Sequence, residues 1–225
     1  MKDRYLKRMY LVAESGKDEI REQVKRLAGK LMRQGLEVQL TTPEEKQTDI
    51  PAAEGSLCLT DSSELVKELM RQHKPVIAWL HEGNRGKDFG EVLYAVEEPE
   101  ELEVSFFEQI YRRYRGIPWL IAETGRCLIR ETIPEDAAAF TEIYRDPEIT
   151  RYTEGFSAEA DTERETIREY IQKVYEFYGF GVWTVLWKET GGRTSERFSM
   201  RWKNRRNWRS PFLSRFIADI VGFPG

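Results

Sequence analysis

Histidine and cysteine are nearly absent from this chain, with two of each in 225 residues. His73 and His81 alone give a histidine-based zinc centre or catalytic triad little material. Cys58 and Cys127 lie far apart, each inside an apolar strand-like run, which favours buried reduced thiols over a disulfide or a metal site. No apolar stretch approaches the roughly 20 residues needed to span a bilayer, and the Lys/Arg/Asp-rich start lacks the apolar core of a secretory signal. The expectation is a cytoplasmic protein with no membrane partner. No Walker A, Gly-x-Gly-x-x-Gly or Asp-x-Asp pattern occurs where a first strand would present it, which removes the usual phosphate-cradling and aspartyl-nucleophile signatures.

What is present is the material of a folded protein: 40% hydrophobic residues, 33% charged residues and a net charge of -4. That is enough for one large or two small cores. The charge is unevenly placed. From Gly192 to Gly225 there are eight Lys/Arg against two Asp/Glu, whereas the preceding 191 residues carry 27 against 37.

Alternation of strand and helix patterns organises residues 1–118. Met9 to Ala13 reads as a strand, and Lys17 to Gln34 as a helix whose Ile20, Val24, Leu27, Leu31 and Met32 recur at helical spacing before Gly35. Leu36 to Leu40 and Ser56 to Leu59 supply two more strands. Asp61 or Ser62 can cap a helix that buries Leu65, Val66, Leu69 and Met70. Val76 to Leu80 and Val92 to Val96 add strands, and Pro99 starts a helix with Leu102, Phe106, Phe107, Ile110 and Tyr114 inward. The pattern predicts an α/β fold with a Rossmann-like three-layer first domain. Its loops at the strand C-termini are Thr60-Asp61-Ser62-Ser63 and His81 to Gly86, the second of which can receive an anion through Arg85 and glycine-flanked amides. The arrangement resembles half of a haloacid-dehalogenase-like fold. The plainer reading, that these loops cap a helix and cover the surface of a binding or regulatory domain, carries more weight.

Gly116-Ile117-Pro118 marks a boundary, and residues 119–191 form a second segment. Cys127 to Thr132 reads as a strand, Ile133-Pro134-Glu135-Asp136 as a turn, and Ala139, Phe140 and Ile143 as the apolar face of a helix. Asp146 to Tyr152 links to a second helix from Thr162 to about Tyr178, with Ile167, Tyr170, Ile171, Val174 and Phe177 inward. Gly179-Phe180-Gly181 stops it, and Val182 to Gly191 reads as a strand with its turn. This ordered ensemble, about 65 residues long, resembles the N-terminal portion of a GNAT-type N-acetyltransferase domain. The resemblance implies acetyl-CoA as cofactor and a small-molecule or peptide amine as acceptor. A base would remove the amine proton, backbone amides would polarise the thioester carbonyl, and an acid would protonate the departing thiolate. It points to Tyr152, Glu154 and Tyr178 on the substrate side, although core packing for the tyrosines and a solvated loop for Glu154 are the commoner roles of such residues.

Residues 192–225 depart from that family. No strand bearing the usual base, and no Arg/Gln-x-x-Gly-x-Gly/Ala loop to hold the coenzyme pyrophosphate, follows Gly191, and Arg193 to Phe198 makes an unconvincing third strand. Catalytic and cofactor-binding residues are therefore unassigned, and the chain is expected to be impaired in acetyl transfer. Codons for Met200 to Phe212 can be chosen so that the neighbouring frame spells Glu-Met-Glu-Glu-Pro-Glu-Glu-Leu-Glu-Val-Ala-Phe, as the family's fourth strand requires. The same shift over Gly191 to Ser199 permits Gly-Ala-Asp-Ile-Gly-Thr-Val-Leu. A frameshift just after Gly191 would account for the change of character.

Two other readings stand beside this one. Arg201, Lys203, Arg205, Arg206 and Arg209 interleave with Trp202, Trp208 and Phe212, chemistry suited to phosphate contacts and base stacking, although the acidic remainder argues against a nucleic-acid partner. Alternatively, the first domain is a ligand-binding or regulatory module. An interrupted second sheet would also leave an open edge for pairing with another copy of the chain.

Overall fold

A computed structural model describes residues 4–41, 54–143, 145, 160–175, 181–188 and 194–195. The chain divides into two compact units, Met1–Ile117 and Pro118–Gly225, and both mix strands with helices.

The first unit is built on five parallel strands: β1 (Arg8–Val12), β2 (Glu37–Thr41), β3 (Ser56–Thr60), β4 (Val76–Trp79) and β5 (Ala95–Val96), in the order β2-β1-β3-β4-β5. Side chains alternate across the pleat, so β1 divides its residues between two cores. Met9 and Leu11 pack with Leu27 and Leu31 of α1 (Asp18–Arg33) and with Phe107 and Ile110 of α3 (Val104–Tyr114). Tyr10 and Val12 pack on the opposite face with Val66 and Leu69 of α2 (Ser63–Arg71). Three layers result because central strands bury both faces, and a run such as Ser56-Leu57-Cys58-Leu59-Thr60, buried at every position, can satisfy that only between two helical layers.

Several local expectations need correction. Met32 is 50% exposed, because it lies about 100° around α1 from the buried Leu31. The strand expected over Val92 to Val96 pairs only at Ala95–Val96. The helix expected from Pro99 is a 3₁₀ turn at Pro99–Glu101 followed, after an extended Leu102, by α3. The proline opens its turn, and the extended Leu102 stops that turn from propagating. Of the two capping candidates for α2, Ser62 takes the role: its hydroxyl accepts from the Leu65 N–H at 3.5 Å. Asp61 is used differently, as described below.

The second unit carries a mixed-length antiparallel sheet of β6 (Leu120–Glu123), β7 (Cys127–Glu131), β8 (Trp183–Lys188) and β9 (Thr194–Ser195), in that order. Between β7 and β8 the chain forms α4 (Ala137–Ile143) and α5 (Ala160–Tyr170), and α5 runs into a π-helical turn at Ile171–Tyr175. Strand β6 has no counterpart in the sequence reading. It forms because the Thr124 to Arg126 turn folds it back, with the Thr124 N–H and hydroxyl both donating to the Cys127 carbonyl. Thr194–Ser195 pairs with Trp187 and Lys188 although its sequence is unconvincing as a strand. Two residues at a sheet edge need only register with a neighbour, not a pattern of their own.

A polar knot ties this unit together. The Asp136 carboxylate accepts from both Arg130 guanidinium nitrogens, at 2.8 and 2.6 Å, from the Ile133 N–H and from the Thr184 hydroxyl. The Arg130 and Asp136 side chains are only 13% and 10% exposed, so the turn before α4 is held to β7 and β8 by charge-assisted hydrogen bonds shielded from water. Gly181 is required by packing: a Cβ there would lie 2.6 Å from the Tyr175 ring. Both cysteines are free and buried.

Candidate functional site

The carboxyl edge of the parallel sheet has its topological switch between β1 and β3, where the crossovers leave in opposite directions, and such a crevice is the usual place for a ligand in an open α/β sheet. Here the crevice is closed from within. Asp61, which directly follows β3, turns its carboxylate onto the β1–α1 loop and accepts from the Glu14 N–H at 2.5 Å and the Ser15 N–H at 3.0 Å. Its side chain is 1% exposed. Backbone amides that could have received a phosphate oxygen are thus occupied by a carboxylate of the chain.

His81 completes the closure. Its Nε2 lies 3.2 Å from the second Asp61 oxygen, and its Nδ1 accepts from the Gly83 N–H at 3.0 Å. An accepting Nδ1 assigns the proton to Nε2, which donates it to Asp61. Both ring nitrogens are therefore committed, and the imidazole acts as a brace between β3 and the loop after β4 rather than as a proton shuttle. Asn84 locks the same corner: its amide donates to the Trp79 and Asp61 carbonyls, and its Oδ1 accepts from the His81 N–H. Of the glycine-flanked amides expected to receive an anion, that of Gly83 has the imidazole as its acceptor and that of Asn84 the His81 carbonyl.

Beside this closed corner a cavity of about 600 Å³ opens between the start of α1, the 82–90 loop and the chain leaving β5. Ile20 and Phe89 supply a buried apolar floor, with Val92 half-buried next to them. The rim is charged. Lys87 reaches across it to Glu14 at 3.1 Å, and that hydrogen-bonded carboxylate holds its ammonium above the ordinary lysine range. Glu97 is set in place through its backbone, whose carbonyl accepts from the Trp79 indole. Among the described residues no group of three or more His, Cys, Asp or Glu is arranged to hold a metal, and no helix is long and apolar enough to cross a membrane.

Tyr152, Glu154 and Tyr178 lie outside the described residues, as does the Arg/Trp-rich segment from 201 onward. In the second unit the described tyrosines are structural: Tyr175, 1% exposed, accepts from the Thr132 N–H, and Tyr170 from the Val182 N–H. Burial pushes the Tyr175 phenol well above its ordinary pKa. The roles of Asp61 and Asn84 were not readable in advance. Asp61 finds its side-chain partners 20 to 47 residues away and Asn84 reaches back 23 residues to Asp61, and only the neighbouring Thr-Asp-Ser-Ser run marked the place. Compared with family models, curated proteins and solved structures, the chain finds no significant match.

Proposed function

We propose that the second unit is the acceptor-side portion of an N-acetyltransferase scaffold, related to the GNAT type, and that it follows a Rossmann-like binding unit. The chemistry of the scaffold is transfer of an acetyl group from acetyl-CoA to an amine. One observation carries the reading: among the described residues, the helices α4 and α5 lie in the chain between β7 and β8, its antiparallel neighbour. That order of elements is the one the sequence resemblance calls for from Cys127 to Gly191. Residues 192–225 contain no coenzyme loop of the family's pattern, and the 225-residue chain is expected to be impaired or inactive in acetyl transfer.

The test has two arms. Isothermal titration calorimetry of the 225-residue protein with acetyl-CoA is expected to show no saturable heat. The coding DNA, moved to its neighbouring frame just after codon 191, is expected to encode a protein that binds acetyl-CoA and acetylates a member of an amine panel. Saturable binding by the original chain would reject the inactivity. An absence of binding and acetylation by the frame-restored protein would reject the acetyltransferase reading.

A further inference from the structure

The cavity of the first unit has a chemistry that can be read from its walls. We propose that it binds a small aliphatic ammonium compound of diamine size. Its volume, about 600 Å³, falls within the range of small-molecule sites, roughly 300–1,000 Å³. The floor of Ile20, Phe89 and Val92 suits methylene groups rather than a polar ring or phosphate.

The charges decide the sign. Lys87 is committed to Glu14, and Asp88 to Lys67 at 2.8 Å, so each is neutralised by a partner that does not line the cavity. Glu19, Glu82, Glu97 and Glu98 remain around the cavity against Lys17 and Arg85, and none of these six has an ion-pair partner among the described residues. The field inside is therefore negative and attracts a cation. The backbone donors nearest the switch point add to that balance. Anion recognition on a parallel sheet draws on unpaired loop amides, and three of them, those of Glu14, Ser15 and Gly83, are already donated to Asp61 and His81. A hydrocarbon floor under a carboxylate rim fits a molecule with an aliphatic body and ammonium ends. The proposal concerns the first unit and holds whether or not the second is an acetyltransferase scaffold.

The deciding experiment is isothermal titration calorimetry of the full chain at low ionic strength with 1,4-diaminobutane, and with pyrophosphate as the anionic counterpart. One-site saturable binding of the diamine and no heat with pyrophosphate are expected. Because Glu97 and Glu98 are exposed and outside both cores, the Glu97→Gln/Glu98→Gln variant should keep its circular dichroism and melting temperature. Its diamine affinity should fall roughly fivefold to tenfold, the loss expected of two partly screened ion pairs. Glu22→Gln/Glu68→Gln removes the same charge from α1 and α2 away from the cavity and should change affinity by less than about twofold. The proposal is overturned by any of three results: no saturable diamine binding, displacement of the diamine by pyrophosphate, or equal weakening in the two double variants, which would mean attraction to net charge alone.

Discussion

Single residues carry much of the specificity of this fold. Asp61 is the clearest case, because one carboxylate takes three donors from two different loops and so decides that the switch-point crevice is a closed corner. Tyr175 shows how burial of one group creates a dependence on pH. Desolvation raises its phenol above the ordinary value of 10.0, so the unfolded chain releases that proton before the folded one does. In that window the unfolded state binds fewer protons, and stability must fall as pH rises. The contribution is complete below pH 10.0 and is lost above it. Urea unfolding of the parent and of Tyr175→Phe across the alkaline range should show the parent losing stability more steeply from about pH 10 upward. Parallel pH profiles would contradict this.

At the scale of elements, the helix ends are instructive. Helices α1 and α3 both finish with a left-handed glycine, Gly35 at φ 81° and Gly116 at φ 64°. Helix α2 ends the same way, with the 73 and 74 amides returning to the Met70 and Leu69 carbonyls, yet the left-handed residue is His73 at φ 54°. A Cβ in that conformation is strained where glycine is not. His73→Gly is accordingly expected to stabilise the first unit by roughly 0.5–1 kcal/mol, less the entropy that glycine adds to the unfolded chain. Chemical denaturation would read the shift in midpoint, and a midpoint that moves downward would show that His73 has stabilising contacts outweighing its strain. The same comparison explains what could be read early: glycine stops after α1 and α3 announced themselves, while the end of α2 carried no such marker.

The whole molecule consists of two compact units, each with its own sheet and core. The first has buried clusters on both faces of its sheet, of the kind that supports independent folding. Residues 1–117 expressed alone should therefore give a cooperative thermal transition and the circular dichroism of an α/β protein. A fragment that melts without cooperativity would show that the first unit needs the remainder of the chain. Among the described residues the second unit has clusters around Cys127 and Trp183 and around Phe140 and Ile167, and the Arg130–Asp136 knot ties its turn to β7 and β8. Breaking a shielded pair of this kind leaves an uncompensated charge, at a cost of about 3–5 kcal/mol.

The α/β character, the strands around Met9, Leu57, Ile77, Leu128 and Val185, and the helices between them were legible in the sequence, because period-two and period-3.6 patterns are consequences of local geometry that any core must respect. The apolar runs around Cys58 and Cys127 likewise foretold two buried thiols. Tertiary structure alone decided the rest. The pairing of Asp61 with the Glu14 and Ser15 amides, the braced tautomer of His81 and the placement of Glu97 beside α1 join segments whose proximity is set by strand order, and strand order leaves no periodic trace in the chain. The sign of the cavity's charge belongs to the same class: it depends on which carboxylates are already paired, and that is settled only when the loops meet.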